Sequence, residues 1–184
     1  MILQLNELTK AYLEPHRKYH TLDHITRMFN TIRDYKLQVT EEQVVAIWYH
    51  DVIYNPQSFV NEKMSALVMR NHFKNLESDE SVSIIETIIH DTEKHIPTHP
   101  QSRLVIDLDL MGLADRFDQY MDTGKLIRME YAHSSNEQWK QGRRAFIEKF
   151  LNRDHIFHTG WGIERFERKA YDNLLRELEG LMNG

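Results

Sequence analysis

The stretch Thr40-Glu41-Glu42-Gln43-Val44-Val45-Ala46-Ile47-Trp48-Tyr49-His50-Asp51 decides how this chain folds. Thr40 followed three residues later by Gln43 is a capping box, in which the threonine and glutamine side chains satisfy the free amides of a helix's first turn. The helix it opens carries Val44, Val45, Ile47 and Trp48 toward a polar pair, His50-Asp51, and the spacing predicts that it ends near Asn55-Pro56. An ionised carboxylate beside an imidazole after an apolar run is expensive to desolvate unless something compensates it.

The same helical reading extends in both directions. Upstream, Ile2, Leu5, Leu8, Tyr12 and Leu13 keep helical spacing until Pro15, and from Thr21 the residues Ile25, Met28, Phe29, Ile32 and Tyr35 mark a second helix with His24 in its first turn. Downstream, helices are predicted over Glu62–Phe73 and Asp79–Lys94, the latter with Val82, Ile85, Ile88 and Ile89 as its buried stripe. In residues 101–114 the apolar positions alternate as in a strand, but a lone strand would have no partner, so this segment is read as helix. Helices over about 115–135, 136–151 and Ile163–Leu181 complete the chain, the last with Ile163, Phe166, Ala170, Leu174, Leu178 and Leu181 on one face. The expectation is a single all-α domain spanning residues 1–184.

Composition agrees and narrows the chemistry. The chain has 184 residues, 41% hydrophobic and 28% charged, with only seven glycines and four prolines, ordinary values for a globular protein with few tight turns. Zero cysteines exclude disulfides, thiolate zinc sites and thiol catalysis. A net charge of −5 argues against a duplex nucleic-acid partner, which calls for a basic surface. No apolar run approaches a membrane span and no signal-peptide pattern is visible, so no membrane partner and a cytoplasmic location are expected. Eleven histidines leave nitrogen and oxygen as the only ligand types for a metal site.

Those ligands cluster by spacing. His20 and His24 lie four apart in Tyr19-His20-Thr21-Leu22-Asp23-His24, so on a helix both rings share one face, and if the helix starts only at His24 then His20 sits at its mouth. His50 and Asp51 diverge by about 100° on a helix, and a metal between the two directions is within reach of both. A distant carboxylate would complete the set, with Asp107 and Asp109 as candidates about 200° apart, only one of which can face the ion. Asp91 and His95 share a face, which makes His95 a better site candidate than His90. Arg17, Arg128 and Arg143 are candidates for clamping a substrate phosphate. Glu62 is a candidate for orienting a metal-bound water or holding a histidine, and Tyr19 and His16 for lining the site.

The order His…His-Asp…Asp on successive helices resembles the signature of the HD superfamily of metal-dependent phosphohydrolases. The stretch Glu14-Pro15-His16-Arg17-Lys18-Tyr19-His20, Trp48-Tyr49-His50-Asp51-Val52-Ile53-Tyr54, Asn61-Glu62, Ser65-Ala66, Asp107-Leu108-Asp109-Leu110, Ile127-Arg128-Met129-Glu130-Tyr131 and Gly142-Arg143 is similar to a branch of small single-domain HD phosphohydrolases. The resemblance implies a helical HD-type bundle with a core of about 16–115 and C-terminal helices of 115–182 packing on it. It also implies one or two divalent ions (Mn, Mg, Co, Ni, Zn or Fe) held by His24, His50, Asp51 and Asp109, with Asp51 serving catalysis as well. Tyr19-His20-Thr21-Leu22-Asp23-His24 and Asp91-Thr92-Glu93-Lys94-His95 are more distantly similar to cyclic-nucleotide phosphodiesterases, in which the first histidine protonates the leaving oxygen. That likeness implies the donor role for His20 and favours Asp109, followed by leucine, over Asp107. Thr21 stands where those enzymes have asparagine, so specificity for cyclic nucleotides is not implied. The expected substrate is a small phosphorylated molecule, a nucleotide among the candidates. The alternatives are an HD-fold ligand-binding module without turnover and a di-iron oxygenase of the same fold.

Overall fold

A computed structural model describes the backbone of residues 2–73 and 78–183, and the side chains of residues 6–73 and 78–182. Every regular element among the described residues is helical, which gives the all-α class expected. The side chains of Ile2 and Leu5, read above as part of the first apolar stripe, lie outside the described residues. The chain divides into two compact units, Met1–Asp109 and Leu110–Gly184. No helix among the described residues is long and apolar enough to cross a membrane.

The first unit contains α1 (Ile2–Tyr12), α2 (Leu22–Tyr35), α3 (Glu41–Tyr49), α4 (Asn61–Phe73), α5 (Asp79–Lys94) and α6 (Ser102–Asp109). Helix α3 is the hub, packing against α2, α4, α5 and α6. Its capping box forms as read: the amide of Gln43 donates to Thr40 Oγ1 at 3.2 Å, and the amide of Thr40 donates to Gln43 Oε1 at 3.0 Å. Gln43 does more than cap, because its Nε2 donates to the carbonyl of Gln101 at 2.8 Å. Around this hub Ile25, Met28, Ile47, Met69, Ile85, Ile88, Ile89 and Ile106 are buried. Residues 102–109 are helical rather than extended, and Val105, Ile106, Asp107 and Leu108 are all buried. A helix enclosed on nearly every side shows no single stripe, which explains its strand-like pattern.

One boundary differs from the sequence reading. Helix α3 stops at Tyr49, with His50 as its C-cap, instead of running to residue 55. Val52 and Ile53 keep the sequence apolar past that point, but their backbone groups are claimed from elsewhere. Arg17 Nη1 donates to the Asp51 carbonyl at 2.7 Å, Arg17 Nη2 donates to the Val52 carbonyl at 3.0 Å, and Ser65 Oγ accepts the Ile53 amide at 3.1 Å. Tertiary hydrogen bonds thus replace the ladder bonds that would have prolonged the helix.

The second unit begins with a 3-10 turn, Leu110–Ala114, followed by α7 (Phe117–Glu130), α8 (Asn136–Leu151) and α9 (Gly160–Asn183). Helix α7 ends five residues before the predicted limit, and a second capping box, Ser135 with Gln138, starts α8. The 3-10 turn packs on α9, where buried Asn173 donates from Nδ2 to the carbonyls of Leu113 and Asp115, both at 2.8 Å. Ala170 and Leu174 of α9 are fully buried, in keeping with the face read from the sequence.

Candidate metal centre

Three helix ends bring the predicted ligands together. His24 lies in the first turn of α2, fixed by the Thr21 N-cap whose side chain accepts from the Asp23 amide. His50 caps α3, and Asp51 begins the turn that follows. The ligating atoms of His24, His50 and Asp51 all lie within 4.8 Å of one another. Asp109, the last residue of α6, adds a carboxylate: its Oδ1 is 3.1 Å from His24 Nε2 and 3.8 Å from His50 Nε2. His50 Nε2 is also 3.2 Å from Asp51 Oδ2.

The donor set passes a direct test of fit to a cation. Both His24 Nε2 and His50 Nε2 are buried and make no hydrogen bond of good geometry; what faces them at 3.1 and 3.2 Å is carboxylate oxygen. The Nδ1 of His50 lies 2.9 Å from the carbonyl of Ile47. A carbonyl only accepts, so Nδ1 carries a hydrogen, and Nε2 is the nitrogen whose lone pair faces the cluster once its own proton is displaced. Two nearly buried carboxylates face these nitrogens. A divalent ion would satisfy all four groups at once.

The electrostatics point the same way. Burial alone would depress the pKa of His50, but the carboxylates of Asp51 and Asp109 outweigh it and hold the ring up to about 9. Burial works to raise Asp51, yet the adjacent His50 brings it well below the usual carboxylate range. Asp109 is likewise held far down against its burial by His24, His95 and His50. Without an ion, a proton on His50 therefore compensates part of the negative charge. Glu62 is shifted upward, first by burial and then by the charges of Asp51 and Glu93, which puts its carboxyl in the same electrostatic neighbourhood.

The remaining candidates sort by what they touch. His20 stacks on Tyr54 with ring centroids 4.2 Å apart and lies 6.3 Å from His24, while Tyr19 sits 5.0 Å from His20 and 5.2 Å from His24. His95 Nε2 is 3.2 Å from Asp109 Oδ2. It reaches that oxygen because it closes α5 in the left-handed conformation, φ 53° and ψ 46°. His90 is exposed. Of the two candidate distal acids, Asp109 joins the cluster, and Asp107 is fully buried on a different side of α6.

Four assignments change. Asp91 does not share a site with His95: its Oδ1 and Oδ2 accept from the Thr98 hydroxyl and amide at 2.8 and 2.7 Å, latching the loop after α5. Arg17 is no phosphate clamp, because its fully buried side chain donates to the carbonyls of His20, Asp51 and Val52 and to Glu14. It ties the chain before His24 to the chain after His50. Arg143 is spent on Glu177 and on the Tyr120 hydroxyl, and Arg128 on Tyr131, Ser134 and Asn136.

Two residues without a predicted role belong to the surroundings. Tyr54 supports His20 with its ring, and its carbonyl lies 2.8 Å from His16 Nε2. Buried Tyr12 donates to the Trp48 carbonyl at 3.0 Å beneath Arg17, 5.2 Å from its ring centroid. Tyr54 was marked in the sequence by its place in the stretch that resembles the HD branch, without a role, and nothing local distinguished Tyr12 from core. No family model matches the chain, and neither does any curated protein or solved structure.

Proposed function

We propose that this chain is a metal-dependent phosphohydrolase of HD type, with His24, His50, Asp51 and Asp109 holding a divalent cation. The observation that carries the reading is the convergence of the buried Nε2 atoms of His24 and His50 on the carboxylates of Asp51 and Asp109. A bound divalent ion supplies Lewis acidity and hydroxide at neutral pH. The protein's own part is to orient and to move protons. His20, half-buried and stacked on Tyr54, delivers a proton to the leaving oxygen, a task suited to an imidazole. Glu62, raised toward its neutral form, holds a water or a second histidine. Arg17 keeps the backbone of His20 and Asp51 in register. The substrate class is a small phosphorylated molecule, nucleotides included.

The test is elemental analysis of purified protein together with phosphate release from a panel of nucleotides and generic phosphodiesters, supplied with Mn²⁺, Mg²⁺, Co²⁺ or Ni²⁺. Stoichiometric metal and turnover are expected. His20→Ala should keep the metal and lose turnover, and Asp109→Asn should lose both. Protein that binds none of these ions and releases no phosphate would refute the reading, and bound metal without turnover would favour a ligand-binding module. One observation favours a two-ion variant: Asp109 offers separate oxygens to His24 and His95. An optical spectrum of aerobically purified protein would show iron-oxo absorption if that variant were a di-iron oxygenase.

A further inference from the structure

The second unit contains a groove of about 650 Å³ lined from α7, α8 and α9, within the size range of small-molecule sites. Its walls are largely apolar, from Phe117, Met121, Met129, Trp139 and Leu181. Gly124 and Gly180 also line it, although glycine is second only to proline as a poor helix former. A Cβ at either position would meet nothing within 4 Å, so neither glycine is there to let helices approach closely. The space in front of both is open.

The charges around this groove do not cancel. Arg176 lies 3.7 Å over the centroid of the Phe117 ring and has no carboxylate partner among the described residues. Arg128, above Trp139, is bonded among the described residues to carbonyl oxygens and to no carboxylate, so its charge is also uncompensated there. The one acid in the wall, Glu177, is neutralised by Arg143. Lys125 and Asp122 form an exposed pair that adds no net charge. Two fixed positive charges thus edge an apolar concavity in a chain of net charge −5.

We propose that this groove binds a small soluble monoanion with an apolar body, an acyl or aryl carboxylate. The carboxylate meets Arg176, whose planar guanidinium suits bidentate pairing, and the apolar body runs past Gly124 and Gly180.

Isothermal titration of the full chain with decanoate, beside decan-1-ol of equal chain length, tests this. Decanoate should bind one to one in the micromolar range and at least tenfold more tightly than the alcohol. Arg176→Gln, at an exposed position, should erase that preference, and Gly180→Leu should weaken decanoate more than tenfold while leaving the circular dichroism spectrum unchanged. Equal affinity for acid and alcohol, or decanoate binding untouched by both substitutions, would overturn the proposal. So would binding only to phosphatidylglycerol vesicles or to poly-glutamate. If Gly180→Leu fails to fold, Arg176→Gln alone decides.

Discussion

Replacing Arg17 with methionine separates a structural arginine from a substrate-binding one. The side chain is fully buried and donates to three backbone carbonyls, those of His20, Asp51 and Val52, at 3.2, 2.7 and 3.0 Å. Methionine fills similar space but donates nothing. Each orphaned carbonyl costs about 1–3 kcal/mol, and removing a buried cation returns part of its own desolvation cost. The half-exposed Glu14 regains water, so its ion pair contributes little to the difference. The net loss is about 3 kcal/mol, equivalent to a fall in Tm of roughly 6–12 °C for a chain of this size. Because the same guanidinium fixes the Asp51 carbonyl, metal affinity should fall about tenfold, close to 1.4 kcal/mol. Urea denaturation of metal-free protein measures the first quantity, and equilibrium dialysis with Mn²⁺ the second. Arg17→Lys, with one donor group in place of the fork, should fall between the two. A loss below about 0.5 kcal/mol, within the range of ordinary surface substitutions, would refute the reasoning, most clearly if KM for a phosphorylated substrate rose at the same time.

Further outcomes follow from the same geometry. Because His50 is held up to about 9 without metal, an incoming ion must displace its proton; Mn²⁺ affinity should climb about tenfold per pH unit from pH 6.5 to 8.5, and a flat profile by dialysis would contradict this. The raised pKa also sets a sign for metal-free stability: the contribution of His50 is full below its unfolded value near 6.5 and lost as pH rises through about 9, which urea midpoints across that window would record. Thr40→Ala removes the hydroxyl that caps α3 and should cost about 1 kcal/mol in the same assay. Gly124→Ala should stabilise the chain by about 0.5–1 kcal/mol, since the new methyl meets nothing; a lower melting temperature would mean that the groove wall is not free.

Local chemistry carried most of the fold. Helix α5 was legible to the residue, Asp79–Lys94, because it has a single buried stripe of Val82, Ile85, Ile88 and Ile89. Helix α6 was ambiguous because consecutive buried residues hide its period, and α3 was overextended because its end is set by Arg17 and Ser65, which are distant in sequence. The site follows the same division. His24, His50 and Asp51 stood out as costly polar residues in helical sequence. Periodicity could show that Asp107 and Asp109 diverge, but the choice between them needed the resemblance and, independently, the position of α6. Arginine was misread for a different reason: a guanidinium that binds carbonyls and one that binds phosphate look identical in sequence, and only the partners distinguish Arg17 from a clamp.

Among the described residues, Lys36 and His95 are the two side-chain-bearing residues with positive φ, both near φ 53°, and both terminate helices where glycine would sit without steric cost. They form a matched pair of opposite design. Lys36 is exposed, so exchange for glycine there reports only relief of the backbone. The same exchange at 95 gains that relief but forfeits the imidazole against Asp109. Subtracting one melting shift from the other therefore isolates what the ring itself is worth, a calibration that the molecule carries within its own sequence.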